Sequence, residues 1–436
     1  MFKNKLKSQL NKNIASGAIV HGLNIFIGLI SYPIFINYLG FELFSVWTLL
    51  SIIISFAQLG DFGISKAVIF YTSKESANKN FEKIKELLSS ALFVLFILAS
   101  IIQSVLWLGK SQIIELLAVP VQFYSQSLEV VPLIGIAVFS FLVYDCLLGI
   151  ITGLGRLDFS NLLLLIVNLL KIGFTVLLLS FKPTVVSMAL GVIISNLFMI
   201  CIVIVIISRT YYSSSIPLCN ISKKTSTKIL KYGLPVLGIQ TLNMLMFPVV
   251  KIIMANNLGV VSVGIFELAT KVAYSIRTFF EKGLFALMPE FSKLHKFNDR
   301  GSSEMLQKKV STYTKKLMYF GIPLFVLAAL CSPFVLKLWL NKAYDPEILL
   351  GYLLLQPGII VGLLALPSYY ALLATKNQKI CFNEAVIRTI LTFITILVLF
   401  LVVPLNSIII YTAITVSVVF SNFYLVYSFR KKIKHV

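Results

Sequence analysis

Polar side chains inside long apolar runs are the residues of this sequence best suited to chemistry. Lys171 lies near the middle of the run NLLLLIVNLLKIGFTVLLL, where a charge costs about 2.5–3.5 kcal/mol at the centre of a membrane helix. The polar residues of this run are separated by seven, three and four positions and so share one helical face: Asn161, Asn168, Lys171 and Thr175. We expect this face to line an aqueous cavity; the alternative is a helix–helix hydrogen-bond stripe with a snorkelling lysine.

A second polar set follows the same spacing in a later run. Gln240, Asn243, Phe247 and Lys251 follow a helical spacing that places them on one face. Pro235 and Pro248 in the same run loosen the helical backbone. Because Lys251 is nearer the end of its run, lining a cavity and snorkelling to the membrane surface are equally favoured.

The next apolar run carries four ionisable residues. Glu267 and Lys271 are four positions apart, as are Arg277 and Glu281, so two neutralising pairs along one helix would explain them. We nevertheless expect Lys271 and Arg277 to be cavity cations, because a guanidinium beside Tyr274 suits phosphate and sugar groups. Glu384 and Arg388 have the same spacing near the end of another run, where a simple ion pair is expected.

Three acids are candidates for ion coupling. Asp145 lies deep in FLVYDCLLGI, where it would carry a proton or pair with Lys171; the sequence leaves this open. Glu267 is the second, and Asp61 in QLGDFG is expected to cap a turn at a helix end. On the first apolar run, Asn24 is a further candidate for the cavity.

The sequence predicts neither catalysis nor a cofactor. It has no GxxxxGK[ST] phosphate-binding loop and no HExxH zinc motif, so nucleotide hydrolysis and zinc proteolysis lack their residues. The five cysteines lack CxxC spacing and predict neither a metal site nor a disulfide framework. We therefore expect no enzyme activity, no metal and no cofactor.

The amino-acid composition indicates whether the protein is soluble or membrane-embedded. The 436 residues are 58% hydrophobic and only 13% charged, with a mean hydropathy of +0.93, whereas soluble domains carry about a quarter charged residues. The net charge of +21 comes from loops between apolar runs, which indicates membrane topology and not nucleic-acid binding. We expect an all-α polytopic membrane protein.

Apolar windows of spanning length predict about twelve transmembrane helices. The windows lie near 14–37, 41–66, 87–109, 128–151, 159–181, 184–208, 231–255, 260–288, 313–338, 348–374, 380–403 and 405–429. Basic loops alternate with nearly neutral ones, and twelve spans with both termini cytoplasmic satisfy the positive-inside bias.

An internal repeat divides the chain. Leu39-Gly40 recurs as Leu258-Gly259 at an offset that also matches Asn37 with Asn256. The repeat predicts a six-helix half over 1–208, a cytoplasmic linker over 209–230 and a second half over 231–436. Duplicated halves of this kind are typical of transporters that bind substrate between two lobes.

The repeated segments resemble a known family. NYLGFELFSVWTLLSIIISFAQLGDFGISKA, its echo NNLGVVSVGIFELATKV and the later PEFSKLH are similar to the polysaccharide-transport branch of the multidrug/oligosaccharidyl-lipid/polysaccharide (MOP) exporter superfamily, which includes the Wzx-type repeat-unit flippases. The resemblance implies a MATE-like fold of two pseudo-symmetric six-helix lobes.

For function, the resemblance implies a flippase of undecaprenyl pyrophosphate-linked oligosaccharides in O-antigen or capsule assembly. It would work by alternating access in the bacterial cytoplasmic (inner) membrane, with a proton or sodium counter-ion. Its partners would be membrane lipids and the pathway's polymerase and chain-length regulator, with no nucleic acid. Lys171 and Arg277 are then expected to face one shared cavity between the lobes.

Two other functions stay open. A cation-coupled MATE-like multidrug exporter should carry deep carboxylates, but the first and fifth apolar windows contain none. A membrane polysaccharide polymerase ordinarily has a large outer loop, whereas the loops predicted on that side are short. Cationic spans favour an anionic substrate.

Overall fold

The computed structural model describes residues 2–58, 63–78, 80–209, 221–285, 287, 291, 300–375 and 377–434, and over these residues the chain is helical, without a strand. The helices are α1 (Phe2–Leu39), α2 (Phe41–Gln58), α3 (Ile64–Ala77), α4 (Phe81–Leu108), α5 (Lys110–Leu116), α6 (Val121–Gly153), α7 (Leu157–Phe181), α8 (Val185–Ile207), α9 (Lys223–Leu258), α10 (Val260–Phe285), α11 (Arg300–Lys316), α12 (Ile322–Leu340), α13 (Pro346–Ala374), α14 (Gln378–Val402) and α15 (Ser407–Lys434).

Most of these helices are long and apolar enough to cross a bilayer. In the described part of the chain, nine helical stretches meet that length and composition: Ile19–Leu39, Phe81–Leu108, Val121–Gly153, Leu157–Phe181, Val185–Ile207, Glu304–Ala343, Pro346–Ala374, Gln378–Val402 and Ser407–Lys432. Phe41–Ala57 and Met244–Leu258 are shorter apolar helices, and α10 occupies the remaining predicted window. The expected all-α, multi-pass membrane protein is confirmed.

Two glycines with positive φ each separate two consecutive helices. Gly40 (φ +75°) is the single residue between α1 and α2, and Gly259 (φ +84°) is the single residue between α9 and α10. L-residues with a side chain rarely adopt such φ values, so each glycine allows one long helix to end and the next to begin at once. The two repeated Leu-Gly dipeptides thus form the same kind of junction.

The second predicted window was too long. One apolar window of spanning length was expected over 41–66, with Asp61 at a helix end inside it, whereas α2 ends at Gln58 and a separate helix, α3, begins at Ile64. Gly63, just before α3, has a left-handed φ of +67°, which is incompatible with a continuing right-handed helix. Apolar content alone does not reveal this break, because both segments are apolar.

α3 packs closely on α6. A β-carbon at Gly149 would lie 3.2 Å from the Ser65 carbonyl oxygen, and one at Gly153 would lie 2.6 Å from Thr72 Cβ. Small residues spaced four apart let two membrane helices approach this closely.

A π-helical turn, Leu317–Gly321, joins α11 to α12. Pro323 follows it in the first turn of α12 and has no N–H with which to continue the regular hydrogen-bond pattern. The wider turn therefore lies where proline interrupts the helix, inside the predicted window 313–338.

Dense packing divides the structure into two compact units, Met1–Gly264 and Ile265–Val436. The expected halves 1–208 and 231–436 rest on internal duplication, which is a different criterion, and they stay a prediction. Within the expected linker 209–230, residues 210–220 lie outside the described part, and α9 begins at Lys223.

Candidate functional site

In the first unit, the asparagines of α7 face α1. Asn168 Nδ2 donates a hydrogen bond of 2.9 Å to Asn24 Oδ1. Asn161 is buried, with its Nδ2 3.6 Å from the place a β-carbon on Gly17 would occupy. The structure therefore brings together three residues predicted for the site, Asn24, Asn161 and Asn168, along one helix pair.

The side chain of Lys171 contacts α6, whereas the asparagines face α1. Its half-buried side chain places Nζ 5.6 Å from the centroid of the Phe141 ring on α6, a distance at which a cation is attracted to the ring face. Asp145 lies one helical turn beyond Phe141. In the described part of the chain no ion pair joins Lys171 to Asp145, so the pairing left open by the sequence is not formed here.

Thr175 is the last polar residue on this face of α7, and it packs against α8. A β-carbon on Gly191 of α8 would overlap the Thr175 side chain and lie 2.7 Å from its Cα. Of the four polar residues that the sequence placed on one face, the asparagines thus face α1, Lys171 lies by α6 and Thr175 packs on α8.

Three other candidates of the first unit are less informative. Lys251 of α9 is buried, with 9% of its surface exposed. Asn243 lies within α9, but its side chain is outside the described part, and Asp61 lies outside the described residues altogether. Their expected roles stay predictions.

In the second unit, Arg277 of α10 is the cation with the clearest geometry. Its Cζ lies 5.9 Å from the Tyr274 ring centroid. Its Nε is buried and has no hydrogen-bond partner among the described residues. No ion pair to Glu281 is formed in this part of the chain, so the neutralising pair suggested by the sequence spacing is absent. Glu267 and Lys271 lie half-buried on the same helix.

Residues from two other helices surround the Arg277 guanidinium. A β-carbon on Gly362 of α13 would lie 3.5 Å from Arg277 Cζ and 3.6 Å from Asn422 Nδ2 on α15. The Asn422 amide also donates 2.8 Å to the Val418 carbonyl. Nearby along α10, Tyr370 Oη donates 3.0 Å to the Glu281 carbonyl oxygen. The absence of a side chain at Gly362 leaves space between the half-buried Arg277 guanidinium and the buried Asn422 amide.

Gln356 and Asn422 were not among the residues predicted for the site. Gln356 is 6% exposed, and both atoms of its amide lack hydrogen-bond partners in the described structure. An unsatisfied buried amide costs about 1–3 kcal/mol, which makes it a natural contact for a polar ligand or water. A glutamine directly before Pro357 within an apolar run was the available sequence signal.

Glu384 and Arg388 form the ion pair that their spacing predicted. Arg388 Nη1 lies 3.4 Å from Glu384 Oε1, with both side chains largely buried. Ser421 Oγ donates a further 2.9 Å hydrogen bond to the same carboxylate oxygen. This arginine is therefore neutralised by an internal partner, unlike Arg277. Among the described residues, no cluster of three His, Cys, Asp or Glu side chains could hold a metal ion.

Solved structures with the same fold are membrane transporters and a flippase. An inward-facing multidrug resistance MATE family transporter of the MOP superfamily matches over 98% of this chain and 95% of its own, with a TM-score of 0.75 and 14% identity. The lipid II flippase MurJ, in an inward closed conformation, matches over 95% and 87%, with a TM-score of 0.75 and 16% identity. A Vibrio cholerae MATE transporter covers 99% and 98%, with a TM-score of 0.68 and 13% identity.

These matches define the class as a polytopic membrane protein with the fold of MOP superfamily transporters. The chain belongs to the polysaccharide biosynthesis protein family, whose sequence model matches residues 10–295. The resemblance found in the repeated segments is thereby confirmed. A sequence comparison with curated proteins gives no match.

Proposed function

We propose that this protein is a flippase that moves undecaprenyl pyrophosphate-linked oligosaccharide repeat units across the bacterial cytoplasmic membrane, for surface polysaccharides such as O-antigen or capsule. Membership of the polysaccharide biosynthesis family supplies the pathway, and a fold shared with the lipid II flippase MurJ suits a lipid-linked substrate. Transport by alternating access is part of the proposal.

The observation that carries the proposal is the half-buried guanidinium of Arg277, whose buried Nε has no hydrogen-bond partner and which has no ion pair among the described residues. A pyrophosphate crossing hydrocarbon must exchange its hydration for cations and hydrogen-bond donors. Arg277 has a free Nε, and Asn422 lies beside it across the space left by Gly362. A cation without a carboxylate partner is costly to keep inside a membrane protein, and binding an anion offsets that cost.

Lys171 supplies a second cation in the first unit. It is half-buried and held over the Phe141 ring without a carboxylate partner in the described chain. Lysine acts as a compact point charge, which suits a diffuse anion better than a single fixed geometry. Asn161 and Asn168 on the same helix would replace part of the hydration of a sugar.

The test is transport of a lipid-linked oligosaccharide in proteoliposomes, together with rescue of surface polysaccharide in a strain that lacks its flippase. We expect Lys171→Ala and Arg277→Ala to reduce flipping by about tenfold or more, the cost of losing one charged contact, at unchanged protein level. Lys171→Arg should restore part of the activity, since the charge is kept. Full activity in both alanine variants would contradict the proposal.

Matched controls separate loss of charge from loss of fold. Lys182→Ala removes an exposed lysine at the C-terminal cap of α7, the helix that carries Lys171. Lys337→Ala removes an exposed cation from the last turn of α12, within the same unit as Arg277. Both controls should flip at the wild-type rate.

A cation-coupled drug exporter is the second candidate, favoured by the fold shared with multidrug resistance MATE transporters. Such a protein should need a deep carboxylate, and Asp145 on α6 is the best placed in the first unit. Asp145→Asn that abolishes drug resistance while leaving oligosaccharide flipping intact would favour the exporter.

A further inference from the structure

A groove lies in the second unit between α11, α13 and α15, and we name it the α11/α15 groove. It encloses about 860 Å³, a volume within the range of small-molecule pockets. All of its lining residues belong to the unit Ile265–Val436.

The open side of the groove is basic. Lys315, from the last turn of α11, and Arg430 and Lys431, near the end of α15, line it and are all exposed. None of the described residues that line the groove is an Asp or Glu. Clustered cations at the end of membrane-spanning helices are typical of sites for the phosphate of a lipid headgroup.

The wall of the groove is apolar and open to the surroundings of the helices. Phe423 and Tyr427 on α15 are 63% and 66% exposed, and Met318 is 48% exposed. Met318 belongs to the π-helical turn, a local widening that is frequent at functional sites. In a membrane-spanning segment, such an exposed apolar wall suits a hydrocarbon chain.

The inner part of the groove contains buried polar residues, one of which lies near Arg277. Ser368 and Asn422 line it and are buried, 3% and 6% exposed. Asn422 Nδ2 and Arg277 Cζ both lie within 3.6 Å of the position a β-carbon on Gly362 would take. The groove therefore runs from exposed cations to a buried amide and hydroxyl, and Asn422 links it to the surroundings of the half-buried Arg277, which does not itself line it.

We propose that the α11/α15 groove is the entry site for the pyrophosphate end of a polyprenyl-linked substrate. Lys315, Arg430 and Lys431 receive the phosphates at the membrane surface, the first isoprene units lie along Met318, Phe423 and Tyr427, and Arg277 takes the charge at the inner end. This inference rests on the proposed function and adds the route by which its substrate loads.

Binding by the full-length protein in nanodiscs tests the site directly, with undecaprenyl pyrophosphate as the probe. Lys315→Gln/Arg430→Gln/Lys431→Gln should weaken binding by about tenfold or more. Lys308→Gln/Lys316→Gln/Lys432→Gln removes the same charge from the same two helices without touching the groove, and it should bind within about threefold of wild type. Equal binding by both triple variants would overturn the proposal.

Two further probes identify the source of the phosphate. Undecaprenol, which has no phosphate, should bind equally to wild type and to the groove variant. Phosphatidylglycerol should compete poorly; competition equal to that of the polyprenyl probe would make the groove a site for bulk anionic lipid and overturn the entry role.

A separate variant tests the inner end of the α11/α15 groove. Gly362→Val should fill the space between Asn422 and Arg277, and so slow flipping while leaving binding at the groove mouth within about twofold of wild type. If wild type flips the substrate and the groove triple variant flips equally well at limiting substrate, entry by this route is wrong and the flippase function stands. If wild type itself does not flip it, the proposed function fails.

Discussion

Ser45 on α2 packs directly against the backbone of Gly264 on α10, within the first unit. A β-carbon on Gly264 would lie 3.0 Å from Ser45 Cβ and would overlap its Oγ. The offset that relates Leu39-Gly40 to Leu258-Gly259 also relates Ser45 to Gly264.

Gly264→Ala is therefore expected to destabilise the protein by about 1–3 kcal/mol through overpacking. Thermal unfolding of the purified protein in detergent measures this. Gly173→Ala on α7, where nothing lies within 4 Å of the added methyl, is the control and should be neutral or slightly stabilising. The double variant Ser45→Gly/Gly264→Ala should recover most of the loss; no recovery would show that the close contact is not the cause.

The two glycine junctions should resist substitution for a different reason. No neighbouring atom lies within 4 Å of a β-carbon built on Gly40 or Gly259, so any cost of alanine comes from the backbone. Gly259, with φ +84° and ψ 165°, is in a region that is essentially restricted to glycine. We expect Gly259→Ala to cost about 1–3 kcal/mol. Unchanged thermal stability would mean that α9 and α10 can meet in another conformation.

The hydrogen bond between Asn168 and Asn24 should couple α7 to α1. Such bonds between membrane helices contribute about 0.6 kcal/mol on average, so Asn24→Ala and Asn168→Ala should show a coupling energy of that order in a double-mutant cycle of unfolding free energies. The same cycle measured on flipping rates tells whether the pair also contacts substrate. Additive losses of stability would mean that the bond contributes nothing to the fold.

The Glu384–Arg388 pair is expected to be structural. Glu384→Gln leaves a largely buried guanidinium without its carboxylate and should destabilise the protein by about 3 kcal/mol. Ser421→Ala, which removes a single hydrogen bond to the carboxylate, should cost about 1 kcal/mol. The double variant Glu384→Gln/Arg388→Met should be more stable than Glu384→Gln alone. If it is not, the charge on Arg388 has a role beyond pairing.

Topology is the last prediction. Reporter fusions after Lys224 and after Arg430 should both report the cytoplasm, because the basic loops alternate with nearly neutral ones along the chain. A fusion after Lys182, in one of the nearly neutral connections, should report the opposite side. A periplasmic signal from either of the first two would contradict twelve spans with cytoplasmic termini.

The sequence by itself determined the class, the helices and the family. A helix in hydrocarbon satisfies its own backbone hydrogen bonds, so apolar length alone locates a span. Leu39-Gly40 and Leu258-Gly259 were also readable, because a junction of one residue between two helices requires a backbone that only glycine adopts easily. Asp61 was expected at a helix end, but the apolar window 41–66 ran through the break before α3, because the cause of the break is conformational and not compositional.

Only the tertiary structure decided which polar residues have partners. Helical spacing placed Asn161, Asn168, Lys171 and Thr175 on one face, but a face of that width contacts more than one neighbour, and here α1, α6 and α8 divide it. The same four-residue spacing gave an ion pair at Glu384–Arg388 and none at Arg277–Glu281. Spacing along one helix fixes which side chains can meet. Whether they do depends on what the neighbouring helices bring to the same place, and contacts between helices distant in sequence are not encoded in the periodicity of either one.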